Sequence, residues 1–148
     1  MMRKTIHFIG IGGIGMSALA RLYRSRGWRV SGSDLTRSEI TDALKKEGIR
    51  VFIGHRTSRV APLTSEVVYT AAVRENNPEL VAAKKRKIPA SSYAEALGRI
   101  SRNYTTIAIA GAHGKSTTAA MVSLILMRAG LDPTVIIGTK LRELHPRS

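Results

Sequence analysis

Short apolar segments alternate along this chain with longer segments in which apolar residues recur every three or four positions. This alternation of strand-like and helix-like patterns is typical of a parallel α/β sheet, in which each helix connects two strands. Strands are predicted at 5–9, 29–33, 49–53, 66–70 and 88–91. The intervening patterns predict helices at 14–26, from 36 to Gly48, from 77 onward, and at 93–99.

Turn and capping residues support these helix boundaries. Gly27 follows the first helical pattern at the position where glycine commonly ends a helix. Residues 36–39, Thr-Arg-Ser-Glu, have the form of a capping box, in which the first and fourth residues satisfy each other's backbone amides. Pro78 suits the first turn of a helix that opens at Asn77. The segment 1–100 therefore predicts one Rossmann-like domain with a parallel sheet.

The same strand–helix pattern starts again after residue 104. Residues 105–110 are β-branched and apolar and predict a strand, and 135–137 predict another. Residues 117–129 are apolar nearly all round, which is typical of a helix buried between layers. We therefore expect two domains, 1–100 and 101–148, with the second being the incomplete beginning of a P-loop ATPase-type α/β domain.

Composition narrows the class of protein. The 148 residues include no cysteine, which excludes disulfides and thiolate chemistry. The formal net charge of +14 attracts anions at long range, and general anion steering is one interpretation of it. The basic run 84–87 follows a helical pattern and is interpreted as a solvated helix end. Because only 5% of residues are aromatic and none interleave with that run, we expect no nucleic-acid partner.

The first twenty residues imitate a signal peptide, since Arg3 and Lys4 precede an apolar stretch that ends in small residues. Four glycines between positions 10 and 15 break that stretch, and glycine is a poor helix former. No other apolar run approaches the roughly 18 residues that a membrane span needs. We therefore expect a cytoplasmic protein with no membrane insertion.

A first glycine-rich loop lies at residues 10–15, Gly-Ile-Gly-Gly-Ile-Gly, between a predicted strand and a predicted helix. Such glycines permit a tight turn and close approach of the backbone to a diphosphate, and the helix N-terminus supplies amides and positive potential. Asp34 stands at the end of the second strand, where an acid that binds ribose belongs. These features predict a nucleotide site but do not distinguish a dinucleotide from a nucleotide-sugar.

A second glycine-rich loop follows the predicted strand at 105–110. It is shorter than a strict Walker A loop, which would need glycine where Ile109 stands. Backbone amides of such a loop cradle phosphates, its lysine reaches the β- and γ-oxygens, and its hydroxyl ligates Mg²⁺. The predicted ATP-binding residues are Gly111, Ala112, His113, Gly114, Lys115, Ser116 and Thr117, with Lys115 as the catalytic residue and Ser116 as the Mg²⁺ ligand.

These motifs together resemble the Mur ligase family, in particular its members that act on UDP-N-acetylmuramate. The resemblance rests on 7–17 (HFIGIGGIGMS), 32–35 (GSDL) and 110–118 (AGAHGKSTT). It is continued by 54–56 (GHR), 77–79 (NPE) and 129–134 (AGLDPT), all in the family's order, and it covers residues 4 to 140.

The resemblance implies a UDP-sugar in the first domain, with Asp34 on the uridine. It implies ATP and Mg²⁺ at the second loop, transfer of the γ-phosphate to the muramate carboxylate, and attack of an L-alanine amine on the acyl phosphate. It further implies that the remainder of the ligase chain is needed and that these 148 residues alone are inactive. The implied UDP-sugar-binding residues are Gly12, Gly13, Ile14, Gly15, Met16, Ser33, Asp34, His55, Thr70 and Ala71.

The chain departs from the family pattern at three places. Ala112 replaces a threonine that the family usually has, paired serines are missing where Thr70 and Ala71 stand, and a basic residue is missing near Ser92. Three alternatives stay open from the sequence. They are a muropeptide-recycling ligase of the same family, a nicotinamide-dependent oxidoreductase, and a non-catalytic nucleotide-binding module.

Overall fold

The computed structural model describes residues 4–138. They divide into two compact units, one that runs to Tyr104 and one that begins at Thr105. Among these residues, no helix is both long enough and apolar enough to cross a membrane.

The first unit alternates strands and helices as the pattern predicts. Its strands are β1 (Thr5–Ile9), β2 (Arg29–Asp34), β3 (Arg50–Ile53), β4 (Glu66–Tyr69) and β5 (Ala90–Ser92). Its α-helices are α1 (Ile14–Ser25), α2 (Glu39–Lys46), α3 (Pro78–Lys85) and α4 (Tyr93–Ser101), with a 3₁₀ turn at Thr57–Arg59. The five strands form one sheet in the order β3-β2-β1-β4-β5, and every neighbouring pair is parallel. The predicted Rossmann-like α/β class is therefore confirmed.

Strand β1 lies at the centre and is buried on both faces. Ile6 and Phe8 point into an apolar cluster that includes Leu19 of α1 and Leu44 of α2. Ile9 belongs to a second cluster, which contains Leu80 of α3. Since successive strand residues face opposite sides of a sheet, the two clusters cover its two faces. This doubly wound arrangement fixes the turn that follows β1 between two packed layers.

The start of α2 corrects one prediction. The capping box is formed by Ser38 and Thr41, and the segment 36–39 is not the box. The Ser38 hydroxyl accepts from the Thr41 amide at 3.2 Å, while the Thr41 hydroxyl oxygen accepts from the Ser38 amide at 2.8 Å. Thr41 is fully buried, so this exchange satisfies its hydroxyl without water.

The second unit differs from its prediction. Its helix α5 (Lys115–Arg128) begins two residues earlier than expected, and neither 105–110 nor 135–137 forms a strand. A strand needs a neighbouring strand that takes up its backbone hydrogen bonds. In the described part of this unit, no two segments pair in this way. Helix α5 is also not buried between layers, because Met121 and Ile125 are 60% and 65% exposed. Local β propensity was therefore an insufficient guide here.

Candidate functional site

The first glycine-rich loop lies where the order of the sheet reverses, between β2 and β4 at the end of β1. The Ser33 carbonyl accepts two hydrogen bonds from this loop, from the Gly10 amide at 2.8 Å and the Ile11 amide at 3.0 Å. Gly10 has a φ of 84°, in the left-handed region that favours glycine. In open α/β sheets, ligands bind outside the carboxyl ends of the strands at such a reversal.

Asp34 fastens the same loop from the end of β2. Its Oδ2 accepts from the Gly12 amide at 2.8 Å, and its Oδ1 accepts from the Thr36 amide at 3.3 Å. A Cβ on Gly12 would lie 2.8 Å from Asp34 Oδ2, so the contact requires glycine. Each carboxylate oxygen has two lone pairs, which leaves acceptor capacity for the hydroxyls of a ribose.

The first turn of α1 supplies the amides that the loop itself does not use. Ser17 is the first α1 residue to make a helical hydrogen bond, to the Gly13 carbonyl at 2.8 Å. The amides of Ile14, Gly15 and Met16 precede that bond, and the N-cap Gly13 has no side chain to satisfy them. The Met16 side chain is buried, so only its backbone amide is available to a ligand. This turn is therefore the candidate anion-binding element of the site.

Three further residues line the same edge of the sheet. Thr70 follows β4, and its Cγ2 is so close to Gly10 that a Cβ there would lie 2.4 Å away. Ala71 comes next and is exposed. Tyr93 opens α4, and its hydroxyl would lie 2.6 Å from a Cβ on Gly15. Burial raises the pKa of the Tyr93 hydroxyl, which keeps it a neutral donor beside the α1 N-terminus.

Tyr93 is a candidate site residue that sequence reasoning missed. One signal could have identified it from the sequence. Tyr93 comes directly after β5, at the carboxyl edge of the sheet where β1, β2 and β4 also end.

Ser33 and His55 are part of a buried polar cluster behind the loop. The Ser33 hydroxyl donates to Glu79 Oε2 at 2.5 Å and lies 2.9 Å from His55 Nδ1. His7 Nε2 lies 3.1 Å from the same carboxylate oxygen. The Arg56 amide donates to Glu79 Oε1 at 3.1 Å. Ser33 thus supports the loop from beneath, since its side chain is completely buried.

Glu79 is the centre of this cluster, and it is fully buried. Burial alone raises the pKa of a carboxyl group, but hydrogen bonds from His7 and Ser33, together with the Arg56 amide, hold the pKa of Glu79 below its usual value. Glu79 is therefore a carboxylate that connects β1, β2 and the segment after β3. The sequence identified it only as part of a helix start and of the segment 77–79 that continues the family resemblance.

The second glycine-rich loop precedes α5 in the other unit. Gly114, the N-cap of α5, has a φ of 73° and no side chain to satisfy the helix start. Thr118 makes the first helical bond, to the Gly114 carbonyl at 2.9 Å, so the amides of residues 115–117 precede it. The Lys115 ammonium folds over the loop and donates to the carbonyls of Gly111 at 2.6 Å and Ala112 at 3.2 Å.

These donors fit a phosphate group. Unused helix amides and a lysine bound only to loop carbonyls offer positive charge and hydrogen bonds to an anion. Ser116 stands in the same first turn, where a hydroxyl is a candidate ligand for Mg²⁺. Within residues 4–138, no group of three or more His, Cys, Asp or Glu side chains could hold a metal. His113 and Thr117 are exposed members of the loop.

The glycine loop, the acid at the end of β2 and the parallel sheet are typical of nucleotide-binding α/β proteins, and comparison with known proteins specifies the family. Residues 5–105 match the family described as "Mur ligase family, catalytic domain". The chain belongs to the Mur ligase family.

Curated relatives carry the name UDP-N-acetylmuramate–L-alanine ligase. The relative from Carboxydothermus hydrogenoformans is 48% identical over 94% of this chain and 30% of its own length. The relative from Aquifex aeolicus is 45% identical over 95% of this chain and 31% of its own length. The chain thus spans about 30% of the length of these curated relatives.

Solved structures agree in fold. A crystal structure of the UDP-N-acetylmuramate-alanine ligase MurC from Thermotoga maritima has a TM-score of 0.81 and 37% identity, covering 85% of this chain and 30% of that one. A UDP-N-acetylmuramate:L-alanyl-gamma-D-glutamyl-meso-diaminopimelate ligase from Neisseria meningitides has a TM-score of 0.80 and 29% identity. That match covers 87% of this chain and 41% of that one.

Proposed function

We propose that this chain is part of an ATP-dependent ligase that joins L-alanine to UDP-N-acetylmuramate through an acyl phosphate, in the synthesis of peptidoglycan precursors. One observation carries the proposal. Relatives bearing that name match 94% or more of the chain, a span that includes both glycine-rich loops. Each loop precedes a helix whose first amides make no hydrogen bond within residues 4–138.

The first unit is the proposed UDP-sugar site. The diphosphate lies against the amides of Ile14, Gly15 and Met16, because a helix N-terminus attracts anions. Asp34 accepts from the uridine, while its bond to Gly12 holds the loop in register. Thr70 and Ala71 lie beside the turn, on the side of β4.

His55 belongs to the shell behind this site. Its Nδ1 lies 2.9 Å from the Ser33 hydroxyl, which is itself tied to Glu79. The Glu79 carboxylate also accepts from the Arg56 amide, so it fixes the backbone directly after His55. His55 and Ser33 therefore position the end of β2 and, with it, Asp34.

The second unit is the proposed ATP site. The Lys115 ammonium leaves the carbonyls of Gly111 and Ala112 and neutralises the negative charge on the transferred phosphate. The Ser116 hydroxyl is the proposed Mg²⁺ ligand, and the metal stabilises charge on the phosphate oxygens when it is bound. The amides of residues 115–117 hold the remaining oxygens.

Turnover also needs groups outside these 148 residues. The curated relatives are about three times as long as the segment they share with this chain. The proposal therefore predicts that the 148-residue chain binds UDP-sugar and forms no amide bond by itself.

The alternatives are less well supported. A nicotinamide-dependent oxidoreductase would leave the second loop without a role. The muropeptide-recycling type has the same fold but lower identity, 29% against 37% for the L-alanine type among the solved structures.

Separating the two sites by mutation tests the proposal. Asp34→Ala should weaken the affinity for UDP-N-acetylmuramate by about tenfold or more, because a lost hydrogen bond to a charged group costs about 1.5–3 kcal/mol. Lys115→Ala should leave that affinity unchanged, and exposed Glu75→Ala is the matched control for Asp34.

Titration calorimetry supplies both readings. Unchanged affinity in Asp34→Ala would remove this acid from the site. Loss of UDP-sugar binding in a folded Lys115→Ala protein would contradict the assignment of two separate sites.

A further inference from the structure

The basic charge of the first unit is concentrated at one edge of the sheet. Helices that connect parallel strands run back against them, so helix C-termini and strand N-termini share an edge. The last turn of α1 contains Arg24, that of α2 contains Lys45 and Lys46, and the run 84–87 begins in the last turn of α3. Strands β2 and β3 start at Arg29 and Arg50. We name this surface the basic edge, defined by Arg24, Arg29, Lys45, Lys46, Arg50 and the run 84–87, all of which are exposed.

Acidic residues are placed mainly at the other edge. Asp34 ends β2, and the first turns of α2, α3 and α4 contain acidic residues. The two glutamates near the basic edge are engaged by arginines. Glu47 binds Arg21 in a bidentate pair with both N···O distances at 2.8 Å, and Glu66 binds Arg99. The positive excess of this unit therefore lies away from the glycine-rich loop.

This placement argues against steering of the nucleotide as the purpose of the charge. The five residues of β1 separate the two edges by about 17 Å. Salt screens exposed charges over roughly 8–10 Å at ordinary ionic strength. An electrostatic field that guides an anion to the loop would be stronger if the positive charges lay beside the loop. The basic edge instead presents its own anion-attracting surface.

Apolar side chains lie among these cations. Leu63 is 79% exposed on the segment that leads into β4, and the Arg86 guanidinium binds the Val60 carbonyl of that segment at 2.7 Å. Trp28 is half-buried next to Arg29, with the Lys4 ammonium 5.5 Å from its ring centroid. The Arg29 amide donates to the Lys4 carbonyl, so these residues are neighbours at the start of β1 and β2.

This combination favours a lipid surface over nucleic acid. An exposed leucine has no partner on a phosphodiester backbone, whereas it can enter the acyl boundary of a bilayer. Tryptophan is enriched at the level of lipid headgroups. Trp28 is poorly placed to stack on bases, because Lys4 lies over its ring and Tyr23 packs against it at 5.1 Å. We propose that the basic edge binds the surface of a bilayer rich in anionic phospholipids.

Co-sedimentation of the 148-residue chain with vesicles tests this. The probes are vesicles of phosphatidylcholine alone and of phosphatidylcholine with 30% phosphatidylglycerol. We expect binding only to the anionic vesicles, with affinity falling steeply as salt rises from 50 to 200 mM. Lys45→Gln/Lys46→Gln should weaken it roughly 25-fold, at about fivefold per charge, and Lys84→Gln/Lys85→Gln should do the same. Leu63→Ser should weaken it further.

The matched control is Arg37→Gln/Arg74→Gln, which removes the same charge from exposed positions at the other edge. It should weaken binding much less than either lysine pair. Equal loss in control and edge variants, or no binding to anionic vesicles at 50 mM salt, would overturn the proposal. Tighter binding to duplex DNA or RNA than to the vesicles would also overturn it. Unchanged UDP-sugar affinity shows that each variant is folded.

Discussion

Replacing Glu79 by glutamine tests the buried cluster behind the first loop. The carboxylate accepts three hydrogen bonds, from the Ser33 hydroxyl at 2.5 Å, His7 Nε2 at 3.1 Å and the Arg56 amide at 3.1 Å. Glutamine has nearly the same shape but only one acceptor oxygen. If its NH₂ group faces the Arg56 amide, that donor loses its partner; if it faces Ser33 and His7, the hydroxyl and the imidazole must both change from donor to acceptor.

The size of the expected loss of stability follows from this lost hydrogen bond. A hydrogen bond to a charged group contributes about 1.5–3 kcal/mol, and a buried donor without a partner adds a desolvation cost. We therefore expect Glu79→Gln to lower the free energy of unfolding of the first unit by about 2–3 kcal/mol at pH 7. The exposed Glu75→Gln should change it by less than about 0.5 kcal/mol.

Urea denaturation followed by tryptophan fluorescence measures this difference. Trp28 is the single tryptophan, and it packs against the core residue Tyr23, so its emission reports on the first unit. Because folding lowers the pKa of Glu79, its stabilisation is present above the usual carboxyl pKa of 4.5 and is lost as the pH falls below it. The gap between wild type and Glu79→Gln should therefore narrow between pH 5 and pH 3.

Two results would refute this reasoning. A loss below about 0.5 kcal/mol at pH 7 would mean that the three donors find other partners. A gap that stays constant between pH 7 and pH 3 would mean that ionised Glu79 is not the stabilising form.

Three more predictions concern the loop, the sheet and the second unit. Gly13→Val should abolish UDP-sugar binding, because a branched side chain fills the proposed diphosphate space. Thermal stability should stay nearly unchanged, since a Cβ at this exposed position meets nothing nearer than 3.6 Å. An affinity equal to that of the wild type would exclude this turn as the site. Gly32→Ala should lower the free energy of unfolding by about 1–3 kcal/mol, since its Cβ would lie 2.6 Å from the Phe8 carbonyl oxygen, and an unchanged urea midpoint would contradict that close packing. Hydrogen exchange should protect amides of β1 and β4 strongly while 105–110 exchanges fast, and equal protection of both segments would be inconsistent with the unpaired backbone of 105–110.

The sequence was sufficient for most of the first unit, for a physical reason. The central strands β1 and β4 are short runs of mainly apolar residues, and the turn after β1 is rich in glycine, which is typical of a tight turn at the end of a strand. Asp34 was predicted to lie at the nucleotide site because it closes the strand predicted at 29–33, and its carboxylate does lie against the loop, 2.8 Å from the Gly12 amide.

Contacts between residues far apart in the chain were not predictable. His7 and Glu79 are 72 positions apart, and their pairing depends on how α3 packs on the sheet. The observed capping box of α2 differs from the predicted one because both Thr36 and Ser38 are suitable caps. Only the structure shows which of them has a partner three residues later. The strand predicted at 105–110 was wrong because its pattern does not report whether a neighbouring strand is there to pair with it.

Competition between two ligands at the first loop tests the central claim most directly. The claim is that the Rossmann-like unit of this Mur ligase family member binds a UDP-sugar across residues 12–16 and Asp34. Calorimetric titration of the 148-residue chain with UDP-N-acetylmuramate should show one site per chain, and prior addition of NADH should leave the measured affinity unchanged. Binding of NADH that displaces the UDP-sugar, or no heat with UDP-N-acetylmuramate for a folded chain, would contradict the claim.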